Sequence, residues 1–340
     1  MKKNLLILIL IALATFSYAN DTFFFMTGGQ LYPSDAKNLE VEMQEEIITV
    51  TLEKGFYQIT VDFYFYNHGK SVSMDVSFPF FCVGLGGDGE IWDFETWTNG
   101  KSTSFKDLPI AKEWQNNTEL KLEKAYVRNI NFPSNQITET RISYKSKYGI
   151  AAPSFAIATY LYGTGETWKN SIGKITFRVV NNLLYDYPIQ IYKAEVPVAD
   201  KFYRKADNIF EAVFYDVEPE KFNETFRIFV GDILGNDGPM RLSKNSFFGC
   251  KGIIPQRKLF WYTKEQLRLV RNAIYAFHGY EFKAADLKAY FESTGSEWNP
   301  KYAVNKNFSE SEFSKDELYN IRTIYKEEQN RLKIESRSNK

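Results

Sequence analysis

The chain has 340 residues, and its 42 lysines and arginines balance 42 aspartates and glutamates. This length predicts two domains or three, and zero formal charge disfavours nucleic-acid binding, which needs a basic excess. Hydrophobic residues make up 44% of the chain, which favours folding over disorder. The two histidines and two cysteines nearly exclude zinc enzymes with His/Cys ligand sets. We therefore expect no nucleic-acid partner, no metal and no cofactor.

Residues 1–19 have the pattern of a secretory signal peptide. Two lysines precede the apolar run Leu5–Ala14, and small residues stand before an expected cleavage between Ala19 and Asn20. The run is shorter than the roughly 20 residues that span a membrane, and an uncleaved anchor helix is the alternative. We predict an exported chain, periplasmic or secreted, with no transmembrane segment after cleavage.

Export changes what the two cysteines indicate, because disulfides persist outside the cytoplasm. An even number of cysteines in that compartment favours a bridge, and Cys82 and Cys250 are its candidate partners. Two independent buried thiols are the alternative, since sequence spacing does not fix proximity.

Residues 38–230 mainly show the two-residue alternation of half-buried strands. Ile59–Tyr66 is the clearest run, with a turn predicted at Lys54-Gly55 before it. The strand Val72–Phe78 is expected to stop at Pro79, which cannot donate to a central ladder. Further strands are predicted over Lys174–Val180, Ile189–Val196, Ile209–Tyr215 and Thr225–Val230. Short strands with Gly, Asn and Pro between them favour a mainly antiparallel β-sandwich over βαβ units.

Several segments of this region share a pattern with an exported bacterial family. They are Asn20-Asp21, Thr27–Leu31, Val41–Ile47, Ile59–Asn67, Phe78-Pro79 and Gly163–Trp168. Residues 20–237, which contain them, resemble the family known only as domain of unknown function 4424. The resemblance implies an exported compartment and no particular activity.

A glycine-rich loop, Gly84–Glu90, is the richest turn signal in the chain. Asp88, Glu90 and Asp93 would offer oxygen ligands to Ca²⁺, but the loop lacks the spacing of an EF-hand. An ordinary hairpin loop is the expected structure.

Three tryptophans, Trp92, Trp97 and Trp114, cluster near this loop and are candidate ligand contacts. An exposed group of aromatic rings there would stack on sugars or on a partner protein. Burial in the core is the alternative, since large aromatic side chains are mostly buried.

After Pro255 the hydrophobic period becomes helical. Thr263–Gln266 is a capping box that opens a helix, and Gly279 supplies the left-handed stop. A second helix is predicted over Ala284–Phe291, and a third begins at the capping box Ser314–Glu317.

The five residues Tyr275, Ala276, Phe277, His278 and Gly279 resemble the Tyr-Ala-Arg-His-Gly signature of the YARHG domain. That domain is a small bacterial module expected outside the cytoplasm. The likeness covers residues 260–332 and departs from the signature at Phe277, where the family has Arg. It implies a module often attached to other exported domains, with no activity of its own established.

His68 and His278 are the only histidines available to a Ser–His or Cys–His mechanism. His278 stands beside the Gly279 cap, which favours a structural role at the turn between two helices over a catalytic one. Glu281 and Asp286 are its candidate partners.

The predicted organisation is a signal peptide, a β-sandwich, a linker, a small all-α module and a charged tail, over residues 1–19, 20–245, 246–259, 260–332 and 333–340. The sequence shows no nucleophile elbow, metal cluster or cofactor fingerprint, so we predict a non-catalytic exported protein that binds an unidentified envelope component. One alternative is a structural subunit of a surface assembly. The other is an envelope glycan hydrolase with carboxylates in the Trp92–Trp114 region, where the candidates are Asp88, Glu90, Asp93 and Glu95.

Overall fold

The structure is a computed structural model. It describes residues 22–27, 30–33, 40–81, 91–110, 112, 122–151, 155–183, 189–219, 224–232, 248–293 and 302–338. The cleavage site at Ala19 and Asn20, the loop Gly84–Glu90, Cys82 and Trp114 lie outside the described residues. The predictions that depend on them, including the disulfide, stay predictions.

Most of the described chain before residue 233 is β-strand. The strands are β1 (Thr22–Thr27), β2 (Gln30–Pro33), β3 (Val41–Leu52), β4 (Tyr57–Asn67), β5 (Val72–Phe81), β6 (Ile91–Thr98), β7 (Lys101–Ser102), β8 (Lys106–Pro109), β9 (Leu122–Phe132), β10 (Ile137–Ser146), β11 (Gly149–Ala151), β12 (Phe155–Leu161), β13 (Ile172–Asn181), β14 (Gln190–Lys193), β15 (Val196–Pro197), β16 (Tyr203–Ala206), β17 (Ile209–Val217) and β18 (Thr225–Asp232). The α-helices that follow are α1 (Gln256–Phe260), α2 (Lys264–Phe277), α3 (Ala285–Phe291) and α4 (Lys315–Ser338).

The strands form one large sheet and two smaller sheets. The large sheet has the order β16-β17-β13-β3-β4-β10-β6-β7, and the smaller ones are β2-β1-β5-β9-β8 and β11-β12-β18-β14-β15. Within the described strands, neighbours are antiparallel except β3 and β13, which run parallel. The expected class, a mainly antiparallel β-sandwich followed by a small helical module, is confirmed.

Both smaller sheets cover the inner face of the large sheet. Phe65 of β4 packs against Phe132 of β9 at 5.6 Å, and Phe177 of β13 stacks on Phe226 of β18 at 4.2 Å. Trp168 closes the space beside Phe65 with its ring 4.6 Å away. Each large side chain buried in this way stabilises the fold by about 1.5–3 kcal/mol.

The strand β5 corrects one sequence prediction. It does not stop at Pro79 but continues to Phe81, with Pro79 opposite Ala125 of β9. The described pairing of β5 with β1 on its other side ends at Ser77. Pro79 therefore lies where one side of the strand has no described partner, and a missing N–H is tolerated there.

The helices α1–α4 enclose a second apolar core, in which the amphipathic helix α2 packs against α4. Ile254 and Leu259 belong to this core, although both fall in the segment 246–259 that is predicted as a linker. A small module has little apolar surface, so the residues that precede its first long helix are needed to fill it. At the other end, α4 continues to Ser338, into the segment 333–340 predicted as a tail. Among the described residues, no helix combines the length and apolar character needed to cross a membrane.

Glu211 on β17 has a buried carboxylate, and we expect it to make the free energy of unfolding fall at acidic pH. It accepts hydrogen bonds from Arg178 and from the Tyr203 hydroxyl, each at 2.8 Å, and Lys205 lies 3.4 Å away. Burial raises its pKa, but these donors outweigh burial and hold the pKa of Glu211 below its ordinary value of 4.5. Its ionised form therefore stabilises the fold above the unfolded-state pKa, and this contribution is lost as the pH falls through the lower folded-state pKa.

We expect Glu211→Gln to lower the free energy of unfolding at neutral pH by roughly 1–2 kcal/mol and to flatten its dependence on pH on the acid side. Urea unfolding of the purified chain at neutral pH and at about pH 4 measures both effects. Asp107→Asn is the control, because Asp107 pairs with Lys124 at 2.7 Å on the surface and its loss should cost less than about 0.5 kcal/mol. Equal effects of the two substitutions would contradict the prediction.

Candidate functional site

The Tyr-Ala-Phe-His-Gly motif forms the end of α2 and the turn after it. The helix begins at the predicted capping box, in which the Thr263 side chain accepts from the Gln266 N–H at 3.1 Å. His278 is the C-terminal cap, and Gly279 follows with a φ of +78°. A Cβ at position 279 would lie 2.8 Å from the Ala303 carbonyl oxygen, so both conformation and space require glycine.

His278 ties the end of α2 to the start of α4. Its Nε2 hydrogen-bonds with Oε1 of Glu317 at 2.8 Å. The other oxygen of Glu317 accepts from the Ser314 N–H at 2.7 Å, and the Ser314 hydroxyl accepts from the Glu317 N–H at 3.2 Å, which is the second predicted capping box. The Phe313 ring packs edge-on against the imidazole at 5.1 Å.

Cys250 reaches the same place from the 3-10 turn Phe248–Cys250. Its Sγ, a ring nitrogen of His278 and a carboxylate oxygen of Glu317 all lie within 4.8 Å of one another, and we call these residues the Cys-His-Glu cluster. Burial raises the pKa of Glu317, but hydrogen bonds from His278, Ser314 and the Cys250 thiol outweigh burial and hold the pKa below its ordinary value. The cluster therefore brings an ionised carboxylate next to a thiol and an imidazole at neutral pH.

No sequence pattern indicated this cluster. Its candidate partners for His278 were Glu281 and Asp286, whereas the partner is Glu317, 39 positions away in the chain. Asp286 instead forms an ion pair with Arg268. A local pattern identified Glu317 as a helix cap but carried no information on which distant segment its side chain faces.

The remaining motif residues pack in the module. Ala276 is buried, and Tyr275 and Phe277 are half-buried against the helical core. The Tyr275 ring lies edge-on to Phe313 at 5.0 Å, and Phe277 lies 5.6 Å from the ring of His278. At the position where the signature has Arg, this chain therefore places an aromatic side chain that packs against the core.

Two of the three predicted tryptophan contacts, Trp92 and Trp97, are half-buried on β6. They pair with Lys145 and Arg141 of β10, two residues on the same side of that strand. A β-bulge with Asp93 at a φ of +53° brings both tryptophans onto the outer face of the large sheet. They lie outside the sandwich core, and their role in ligand contact stays a prediction.

The carboxylates near these tryptophans are partly described. Asp93 accepts from the Lys145 ammonium at 2.8 Å in a surface ion pair, and Glu95 is exposed on the same strand. Asp88 and Glu90 lie outside the described residues. The hydrolase alternative therefore stays a hypothesis.

Trp261, between α1 and α2, joins the helical module to the sandwich. Its side chain is 4% exposed and lies in the sandwich core, 5.8 Å from the Phe202 ring and 4.6 Å from the Phe210 ring. Its carbonyl accepts from the Asn181 side chain at 3.0 Å. The two modules therefore share packed contacts and do not meet only through a linker.

Two arginines bind the carbonyls at the end of α1. Arg204 of β16 donates to the carbonyls of Phe260 and Tyr262, and Arg331 of α4 donates to those of Leu259 and Tyr262. Burial, with the nearby positive charge of Arg331, lowers the pKa of Arg204 to about 10. Helix C-termini leave such carbonyls without internal partners, so both modules contribute a cation to one shared anchor.

An apolar pocket of about 650 Å³ opens beside this anchor, and we call it the junction pocket. Its lining residues are Ile189, Gln190, Ile191, Tyr192, Pro197, Ala199, Asp200, Phe202, Phe260 and Trp261. One wall comes from β14 and the turn after β15, and the other from α1 and Trp261. The volume falls within the range of roughly 300–1,000 Å³ for ligand sites, which favour domain interfaces. No sequence pattern indicated this pocket, because its walls come from distant segments.

A second pocket of about 620 Å³ lies at the same junction and is more polar. Asn182 and Asn208 line it from the sandwich, and Glu265 and Tyr290 line it from the helices. Asp207, one of the acidic residues that line this pocket, already accepts from the Lys264 N–H at 2.9 Å. This hydrogen bond gives Asp207 a structural role at the junction.

Residues 251–329 match the family model of the YARHG domain. The helical module is thus a YARHG domain, as its motif predicts. His278 and Glu317 lie within the matched residues, and Cys250 lies immediately before them. A search of curated proteins finds no match.

Solved structures offer distant likenesses. A protein of Legionella pneumophila with a suggested role in nutrient binding is 19% identical, with a TM-score of 0.47 over 86% of this chain and 95% of that one. An M1 zinc metallopeptidase from Deinococcus radiodurans is 11% identical, with a TM-score of 0.31 over 58% of this chain and 44% of the peptidase. With TM-scores below 0.5, these likenesses carry no argument about the site or the activity of the YARHG-containing chain.

Proposed function

We propose that the chain is an exported, non-catalytic binding protein of the cell envelope, and that its ligand occupies the junction pocket. The observation that carries the proposal is the pocket itself, which the sandwich and the YARHG domain line together. A site between two packed modules is formed only when both are docked. The packing of Trp261 against the sandwich therefore supports binding as well as stability.

The lining predicts the class of ligand. Tyr192, Ala199 and Phe260 are half-buried and offer apolar and aromatic surface, while Gln190 and Asp200 are exposed polar residues of the lining. Such a pocket fits an apolar group that carries one or two hydrogen-bonding atoms. A component of the envelope with that chemistry is the proposed partner.

Export is the second part of the proposal. Residues 1–19 supply the signal peptide, with cleavage between Ala19 and Asn20, and the resemblance of residues 20–237 to domain of unknown function 4424 supports the same compartment. Membership of the C-terminal module in the YARHG domain agrees with an exported protein.

Tyr192→Ala tests the binding site, because Tyr192 lines the junction pocket. The mature chain, taken from the envelope fraction of cells, is mixed with purified peptidoglycan, outer-membrane vesicles or periplasmic extract. Co-sedimentation or gel filtration then measures its retention. We expect one fraction to retain the wild type, and Tyr192→Ala to weaken that retention by about 10-fold or more. Tyrosine is enriched among the residues whose truncation costs about 2 kcal/mol or more of binding free energy.

Tyr215→Ala is the matched control, because Tyr215 is 68% exposed on β17 and does not line the pocket. Its retention should equal that of the wild type. Equal losses in both tyrosine variants, or a loss only in Trp97→Ala, would contradict the junction pocket as the site. Failure of every fraction to retain the wild type, or an uncleaved chain in the cytosol, would contradict the proposed function.

A further inference from the structure

Three side chains with metal-binding chemistry meet in the YARHG domain without belonging to the junction pocket. Cys250 comes from a 3-10 turn, His278 from the end of α2 and Glu317 from the first turn of α4. Their donor atoms all lie within 4.8 Å of one another, and the side chains of His278 and Glu317 are only 17% and 6% exposed. One thiol, one imidazole and one carboxylate from three distant segments therefore lie together at one largely buried place.

We propose that the Cys-His-Glu cluster is a binding site for a transition-metal ion, with Zn²⁺ the best match to its donors. Sulfur, imidazole nitrogen and carboxylate oxygen are the ligands that Zn²⁺ takes in proteins, and three protein ligands leave its fourth tetrahedral position for water or another ligand. This departs from the expectation of no metal, which rests on the low count of His and Cys in the chain. That expectation did not include a buried glutamate as the third ligand.

The His278–Glu317 pair needs only a small adjustment to hold the ion. Ligand atoms of tetrahedral zinc are about 3.3–3.6 Å apart, given bond lengths near 2.0–2.3 Å. Nε2 of His278 and Oε1 of Glu317 are 2.8 Å apart, so the ion would replace their hydrogen bond and separate them by about half an ångström. Nε2 then gives its lone pair to the metal, the imidazole proton sits on Nδ1, and the thiol of Cys250 releases its proton to solvent.

The surroundings hold the donors in place before any ion arrives. Asn320, 1% exposed on α4, donates to the carbonyls of Gly249 and Gly252 at 2.9 and 2.8 Å and accepts from the Ile254 N–H at 2.9 Å. Asn320 lies one helical turn after Glu317 on α4. Its bonds therefore hold the loop that carries Cys250 close to the Glu317 carboxylate. Such outer contacts orient metal ligands and tune their affinity.

The chain contains a natural comparison. His68 hydrogen-bonds with Glu42 at 2.6 Å, so it forms the same kind of histidine–carboxylate pair on the surface of the sandwich. Among the described residues, a cysteine joins such a pair only at His278. The thiol is therefore the feature that separates a metal site from an ordinary ion pair.

The experiment uses the full mature chain, reduced and depleted of metal with a chelator, and Co²⁺ as the spectroscopic probe. We expect one Co²⁺ per chain, a thiolate-to-cobalt charge-transfer band, displacement of Co²⁺ by Zn²⁺, and a higher melting temperature with Zn²⁺ present. Cys250→Ala should remove the charge-transfer band and weaken Zn²⁺ binding by more than about 100-fold, since even outer-shell changes cost 10–100-fold. Circular dichroism without metal checks that this variant is folded.

Cys82→Ala is the matched control, because it removes the other cysteine and leaves the cluster intact. It should keep the band, as should His68→Gln. The proposal is overturned if the wild type gives no thiolate band, if the band survives Cys250→Ala, or if it is lost in Cys82→Ala. A Cys82–Cys250 disulfide in the chain isolated from the envelope would also overturn it, because the same sulfur cannot serve both bonds. None of these outcomes involves the junction pocket, so this test and the retention assay fail or succeed separately.

Discussion

Trp261→Ala is expected to lower the free energy of unfolding by about 3–5 kcal/mol, the range for truncating a large aromatic side chain in a core. Its ring is surrounded by Phe202, Phe210 and Phe260 at 5.8, 4.6 and 5.1 Å, so the substitution leaves a cavity between the sandwich and the YARHG domain. Urea unfolding measures the loss, and binding at the junction pocket should weaken with it, because Trp261 forms one wall.

Trp97→Ala provides the comparison for this effect. Trp97 is half-buried on the outer face of the large sheet, so its removal should cost about 1 kcal/mol and leave the junction intact. Trp261→Phe should recover part of the loss, since a smaller ring still fills some of the space. If the alanine variants of Trp261 and Trp97 lost equal amounts of unfolding free energy, Trp261 would not be the residue that holds the two modules together.

Gly279→Ala is expected to lower the free energy of unfolding of the YARHG domain by roughly 2–4 kcal/mol. One part is the left-handed conformation, a φ of +78°, which costs a non-glycine residue about 1–2 kcal/mol. The other part is steric, because the new Cβ would lie 2.8 Å from the Ala303 carbonyl oxygen and 3.0 Å from the Asn305 backbone nitrogen. The Asn305 N–H also donates to the Gly279 carbonyl at 2.8 Å, so the backbone cannot move away without losing that bond.

Substitutions at two other glycines separate the conformational contribution from the steric one. Gly55 and Gly100 have φ values of +81° and +74°, and a Cβ at either position meets nothing within 4 Å. Alanine at these sites should therefore cost only the conformational part, about 1–2 kcal/mol. Thermal unfolding followed by circular dichroism compares the three variants. A loss at Gly279 no larger than at Gly55 would show that the close approach of Ala303 is not a constraint.

Local patterns predicted the elements of this chain well where one short segment contains the whole signal. The alternation of Ile59–Tyr66 gave β4, and the capping boxes at Thr263 and Ser314 gave the starts of α2 and α4. The motif at residues 275–279 predicted the YARHG domain that the family model matches. Patterns of this kind depend on backbone periodicity and on hydrogen bonds between neighbours, which the sequence contains directly.

Pro79 shows where a local rule fails. Proline disfavours a central strand, but whether a position is central depends on which strands lie on either side. That information resides in the pairing of β5 with β1 and β9, and it allowed the strand to continue to Phe81.

The sequence by itself determined the class of the protein: a β-sandwich followed by a small helical module with a recognisable motif, since period and caps are properties of neighbouring residues. Only the tertiary structure decided which side chains the candidate site residues and the junction tryptophan contact. Cys250 and Glu317 meet His278, and Trp261 enters the sandwich core. Contacts between distant segments arise from how the two modules pack, and spacing along the chain does not encode which of many possible partners a buried side chain finds.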